Sequence, residues 1–172
     1  KSILMFEAMK WHRRSAALYT DRRMLLDQLG EGLYQAGIDY GIRASGTKPD
    51  MLEDIQLCMV QTEASRVLSG KRRVHRAHRI WVDEAHKNSG ESMQRLLEEH
   101  RKAQDDSVLI GVTATPLDIG HLYDKLIIVG TKKELRKCGA LVPCYTYGPD
   151  EPDVKWVGNV KVDGGECGIP QP

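Results

Sequence analysis

Apolar residues recur along this chain with two spacings, and the two alternate. Between positions 3 and 12, Ile3, Met5, Phe6 and Met9 stand among charged residues and predict a helix. Ala16-Ala17-Leu18-Tyr19 follows as a short continuous apolar run, the signature of a buried strand. Met24, Leu25, Leu29, Leu33 and Ala36 then fall on one face of a helix predicted over 22–36. Asp21 is expected to cap that helix and Gly37 to close it. Further strands are predicted over 38–44, 55–60, 79–82, 108–112 and 126–129, and further helices over 62–68, 92–104 and 131–137, the last ending at Gly139. Ser45 to Asp50 reads as a turn between two of these runs.

Short β-rich runs alternating with longer helical ones predict parallel βαβ units. The expected fold class is therefore α/β, a mostly parallel sheet flanked by helices. After Leu141 the composition shifts to Pro, Gly and acidic residues. One domain is expected over 1–145, with 146–172 as a linker.

Composition narrows the class. Apolar residues make up 41% and charged residues 28%, as in soluble globular chains. No apolar run approaches the length a bilayer requires, so no membrane partner is expected. The net charge of +1 gives no global field for nucleic acid, and such binding would need a local patch. Cys58, Cys138, Cys144 and Cys167 form no Cys-x-x-Cys pair and read as free thiols of a reducing, cytoplasmic protein.

The chemistry concentrates where one apolar strand stops. Ile80-Trp81-Val82 ends abruptly in Asp83-Glu84-Ala85-His86. At the carboxyl edge of an open α/β sheet, where ligands bind, one carboxylate can hold a hydrated Mg²⁺. Its neighbour can orient a water for in-line attack on a γ-phosphate. Strict alternation would send adjacent side chains to opposite faces, so the strand is expected to be turning already at Glu84. Thirty residues beyond Asp83, another apolar strand ends in Thr113-Ala114-Thr115-Pro116. Its hydroxyls are expected to reach Asp83 or His86 across the sheet edge.

Asp83-Glu84-Ala85-His86 resembles motif II of the DEAH-box superfamily 2 helicases, and Thr113-Ala114-Thr115 resembles their motif III. The resemblance runs from Lys1 to about residue 153. It implies a RecA-like P-loop NTPase fold, ATP and Mg²⁺ as cofactors, and DNA or RNA as partner. In such a site Asp83 would bind Mg²⁺, Glu84 would act as base, and His86 would couple the nucleotide to a second RecA-like domain. Thr113 and Thr115 would relay the nucleotide state. Lys1-Ser2, ahead of an amphipathic helix, resembles the end of a Gly-x-x-x-x-Gly-Lys-Ser/Thr loop. Lys1 would reach the β/γ-phosphates and Ser2 the metal. Since the chain opens on Lys, an upstream piece carrying the loop glycines is expected.

Tyr19-Thr20-Asp21-Arg22-Arg23 resembles the family's motif Ia, Ser45-Gly46 its motif Ib, and Gln61-Thr62 the element that follows the next strand. Thr20, Arg22, Ser45, Gly46 and Thr62 are the expected nucleic-acid contacts, positioning a backbone without reading bases. Asp21 departs from the family's usual residue. The basic run 71–79 is expected to be a solvated loop, with His75 and His78 at the surface. The segment around Leu141-Val142-Pro143 resembles the family's exit strand toward a second domain. No Gln-x-x-Gly-Arg-x-x-Arg element occurs, so the completing arginines are expected from that second domain. A restriction-enzyme motor and a RecA-like module that only binds a partner or nucleic acid are the alternative readings.

Overall fold

The computed structural model describes residues 1–11, 14–48, 50 and 52–142, and the backbone of 162–163 and 166–167. Its elements are α1 (Ser2–Trp11), β1 (Ala16–Thr20), α2 (Arg23–Gln35), β2 (Gly41–Arg43), β3 (Ile55–Met59), α3 (Val60–Leu68), β4 (Arg79–Asp83), α4 (Glu91–Ala103), β5 (Val108–Val112), α5 (Lys132–Lys137), β6 (Val162–Asp163) and β7 (Glu166–Cys167). Two compact units contain them, Lys1–Leu126 and Ile127–Pro172.

In the first unit, five strands form an all-parallel sheet in the order β2-β3-β1-β4-β5. Side chains of a strand alternate between faces, so each strand feeds two cores. Ala17, Tyr19, Ile80 and Val82 meet Val60, Ala64 and Val67 of α3 and Met93, Leu96 and Leu97 of α4. Ala16, Leu18 and Trp81 point the other way, onto Met5, Phe6 and Met9 of α1 and Leu26, Leu29 and Leu33 of α2. All five residues of β1 are buried, as expected of a central strand covered on both faces.

Helix α2 ends at Gly37 as the sequence suggests. Gly37 takes φ +68°, its N–H bonds the Tyr34 carbonyl at 2.9 Å, and the Ile38 N–H bonds the Leu33 carbonyl at 3.0 Å. This paired bonding satisfies two carbonyls at the helix end. It also engages Ile38 in the cap, so the strand predicted over 38–44 is only Gly41–Arg43. At the other end of α2 the expected cap is absent. The helix begins at Arg23, Arg22 is the N-cap, and no side chain accepts there. Asp21 stands one residue too early to reach the free N–H groups of the first turn.

Two further expectations fail. The run Leu126–Val129 is not a strand, and Leu126, Ile127, Ile128 and Val129 are all exposed. A strand needs a ladder neighbour, and among the described residues β5 pairs only with β4. The basic run 71–79 is not a solvated loop either. Ala77 is fully buried and Val74 nearly so, because the segment folds back under α3. The Arg43 Nη2 donates to the Arg73 carbonyl at 2.7 Å, the Arg72 guanidinium pairs with Glu63 at 3.2 Å, and the His75 Nε2 bonds the Asp54 carbonyl at 2.8 Å. His78 Nδ1 meets the Ser15 hydroxyl at 2.9 Å.

In the second unit, Thr131 and Glu134 form a reciprocal capping box at the start of α5, and β6 pairs antiparallel with β7. Leu141 and Val142 belong to no strand, and the remainder of the expected exit strand lies outside the described residues. Among the described residues, no helix is long and apolar enough to cross a membrane.

Candidate active site

Strand β4 carries Asp83 as its last residue, and the backbone turns at once: Glu84 has φ +46°, a conformation L residues adopt only under constraint. The turn is held from three sides. The Ala85 N–H bonds the Val112 carbonyl at 3.2 Å, the Lys87 N–H bonds the Glu84 carbonyl at 2.8 Å, and the Asn88 Nδ2 bonds the Asp83 carbonyl at 2.8 Å. The two carboxylates thus emerge on the same rim instead of on opposite faces, as the acid pair demands.

The amino-terminal turn of α1 lies on that rim. The Lys1 ammonium donates to the Glu84 carboxylate, 83 positions away in sequence. Both are partly exposed, so this pair contributes less than about 1 kcal/mol to stability and serves mainly to locate the two groups. Its electrostatic imprint is clear. The hydrogen bond from Lys1 holds the Glu84 carboxyl below its usual value, against a smaller effect of burial. Asp83, at 8% exposure, goes the other way. Burial raises its pKa, opposed chiefly by the Glu84 N–H and by Lys1. The two neighbouring acids are therefore shifted in opposite directions, Asp83 by burial and Glu84 by its bond to Lys1.

His86 completes the rim. Its Nδ1 lies 2.8 Å from the Thr113 hydroxyl and 3.4 Å from the Glu84 carboxylate. Thr113 in turn accepts the Thr115 N–H at 3.1 Å. A continuous polar chain thus runs Lys1–Glu84–His86–Thr113–Thr115, linking the ends of α1, β4 and β5. Ser2 opens α1, half-buried, and α1 has no acid in its first turn to oppose an anion.

The remaining expected residues separate into two groups. Ser45 and Thr62 line one small cavity of about 280 Å³ together with Gln61, Ser65 and Arg66. Gly46 beside them has φ +75° in the turn after β2. Thr20 ends β1 fully buried, too deep to touch a nucleic-acid strand, and its hydroxyl has no hydrogen-bond partner among the described residues. Arg22 is exposed and sits 3.9 Å from Asp21. It is Arg23, not Arg22, that ties these segments together, donating to the Ser45 carbonyl at 3.0 Å. Arg23 stands within the Tyr19–Arg23 stretch but is not among the contacts expected from sequence, and Lys87 and Asn88, which directly follow His86, are not among the expected site residues either.

No protein-family model matches the sequence, and no curated protein matches it. A solved structure does: the helicase domain of Pyrococcus furiosus Hef superposes with a TM-score of 0.57 at 16% identity, covering 67% of this chain and 28% of that one. The chain has a RecA-like α/β fold, an all-parallel five-stranded sheet flanked by helices. Within that fold the rim of Asp83, Glu84 and His86 lies at the carboxyl ends of the parallel strands, where such sheets bind ligands. The chain spans about a quarter of the length of the Hef structure it resembles.

Proposed function

We propose that the chain is the nucleotide-binding part of a DEAH-type motor that couples ATP hydrolysis to movement along DNA or RNA. The observation that carries this reading is the meeting of Lys1 with Glu84 beside Asp83. A cation, a carboxylate whose pKa it lowers and a buried carboxylate converge at one sheet edge, with half-buried Ser2 following Lys1. The donor set suits a hard divalent ion, because Asp83 and Ser2 offer only oxygen. Mg²⁺, when bound, would neutralise phosphate charge and fix the β- and γ-phosphates.

Each residue of the chain then has a task. Lys1 leaves Glu84 for the phosphate oxygens when nucleotide enters, since a triphosphate outweighs one carboxylate as partner. Glu84, released, accepts a hydrogen bond from the attacking water and orients it in line. His86, bonded to Thr113, senses whether Glu84 is held by Lys1 or by water, and passes that state to the end of β5. Arg22, Ser45, Gly46 and Thr62 hold the nucleic-acid backbone at the same sheet edge, whereas Thr20, fully buried at the end of β1, is out of reach of a strand. Arginines from a second RecA-like domain complete the site, and an arginine finger of this sort contributes roughly 10³–10⁵ in rate. The chain alone is therefore expected to bind nucleotide weakly and turn it over negligibly.

The decisive substitution is Glu84→Gln, made in the protein joined to its second motor domain. Phosphate release should fall at least about a hundredfold, in the range for loss of a general base, while nucleotide binding persists. Unchanged turnover would remove Glu84 from the chemistry and the motor reading with it.

A further inference from the structure

The small cavity holding Ser45 and Thr62 is not isolated. Gln61 and Ser65 form its wall on one side and, on the other, the wall of a larger groove of about 590 Å³ between α3 and α4. This groove has an apolar floor, including Ala64 and Met93, and a polar rim that includes Lys87, Asn88, Ser92 and Glu91, whose carboxylate stands 3.9 Å from the Arg95 guanidinium. Two cations face the combined channel, Arg66 at the small end and Lys87 at the large end. Neither lies within ion-pairing distance of a carboxylate among the described residues, while Arg72, Arg23 and Lys1 nearby are all engaged. Asn88, 6% exposed, is fixed in the wall by its bond to the Asp83 carbonyl, so the groove is built onto the same turn that presents the acid pair.

We infer that this α3–α4 groove is a second nucleic-acid subsite, which takes the sugar–phosphate backbone of a strand leaving Ser45 and Thr62 and holds its phosphates on Lys87 and Arg66. The inference rests on the motor reading above and deepens it. An apolar floor between Lys87 and Arg66 fits a nucleotide, whose base and sugar present carbon surface and whose phosphate presents charge, with Arg95 offsetting the Glu91 carboxylate on the rim. The volume falls in the range of small-ligand sites, ample for one nucleotide. The groove's attachment to the Asp83 turn would also make strand occupancy and the nucleotide site neighbours through a single side chain, Asn88.

The test is fluorescence anisotropy of the chain with labelled oligothymidylate and oligouridylate across a salt series. The variants are Lys87→Ala and Ser65→Glu, with Arg22→Ala and Thr62→Val for comparison. Lys87 and Ser65 are both exposed, so neither substitution removes a core contact. Lys87→Ala should lower the slope of log affinity against log salt by about 0.7, the loss of one phosphate contact to a single strand. Ser65→Glu, which puts a like charge at the junction of the two cavities, should weaken binding roughly tenfold, a cost of about 1.4 kcal/mol. The oligonucleotide bound more tightly identifies DNA or RNA as the source of the strand. If Arg22→Ala and Thr62→Val weaken binding but Lys87→Ala and Ser65→Glu leave both slope and affinity unchanged, the groove is not a subsite and the motor reading stands. If the unmodified chain binds neither oligonucleotide, both fall together.

Discussion

Arg43→Met offers a perturbation whose size follows from burial alone. Arg43 and Glu63 are each fully buried, their charged atoms 3.3 Å apart, and Arg72 approaches the same carboxylate from a side chain that is 17% exposed. The pair is close but poorly bonded: the Arg43 Nε and Nη1 and one Glu63 oxygen have no hydrogen-bond partner, so attraction without good geometry offsets the desolvation of both ions. Removing Arg43 leaves Glu63 buried with Arg72 as its bonded cation and Arg66 farther off. Breaking a buried pair costs about 3–5 kcal/mol, and the surviving Arg72 sets the expectation near the low end, about 3 kcal/mol. For a domain between the usual size classes that is a fall of roughly 12 °C in Tm. The double variant Arg43→Met/Glu63→Met removes both charges and leaves Arg72 free to turn to solvent. It should recover to within about 1–2 kcal/mol of the unmodified chain, the residue being the unbonded Arg73 carbonyl.

The pH dependence of that defect has a definite sign. Burial already raises the Glu63 pKa, against the pull of Arg43 and Arg72, and losing Arg43 raises it further. The folded state then binds a proton the unfolded state has released, so stability falls as pH climbs from the unfolded carboxyl value through the raised folded one. The Arg43→Met defect is therefore smallest in acid and largest at neutral pH. Urea melts followed by circular dichroism at several pH values measure both effects. A single-variant loss below about 1 kcal/mol, or a double variant no better than the single, refutes the reasoning.

Three other outcomes are expected. Tyr19→Phe removes the 2.8 Å bond to the buried His100 Nε2; burial holds the His100 pKa down to about 4, and taking this partner from the buried Nε2 should cost about 1–3 kcal/mol by the same melts. Gly111→Ala drives a methyl group into the Tyr123 ring, closer than any real Cβ contact, and should destabilise by about 1–3 kcal/mol unless Tyr123 is shortened as well. Lys1→Met frees Glu84 from its depressed pKa, so its carboxyl resonance, followed by NMR, should titrate at higher pH than in the unmodified chain; an unmoved titration would mean that Lys1 does not hold Glu84 in solution.

Local patterning conveyed the strands and helices of the first unit well, because each strand there is buried on both faces and so reads as an unbroken apolar run. The turn at Glu84 was legible for a chemical reason, since two adjacent acids cannot serve one rim on a straight strand. Tertiary pairing was not legible. Leu126 to Val129 has the composition of a strand, but a ladder depends on a neighbour that composition does not specify. The run 71–79 misled in the opposite sense, as its charge concealed that Val74 and Ala77 anchor it and that Arg43 reaches its backbone. A clue was present in α3, where Glu63 lies on the face otherwise formed by Val60, Ala64 and Val67 and so had to meet a buried cation. Asp21 failed as a cap by one residue, the margin at which helix starts are hardest to place from sequence.

Whether this rim receives a nucleoside triphosphate is best measured by calorimetric titration of the chain with ATP, with and without Mg²⁺, alongside Lys1→Ala and Asp83→Asn. The expected result is weak binding that requires the metal and is lost in both variants. Binding that survives both substitutions, or no binding by the unmodified chain, contradicts a phosphate site built from the start of α1 and the end of β4.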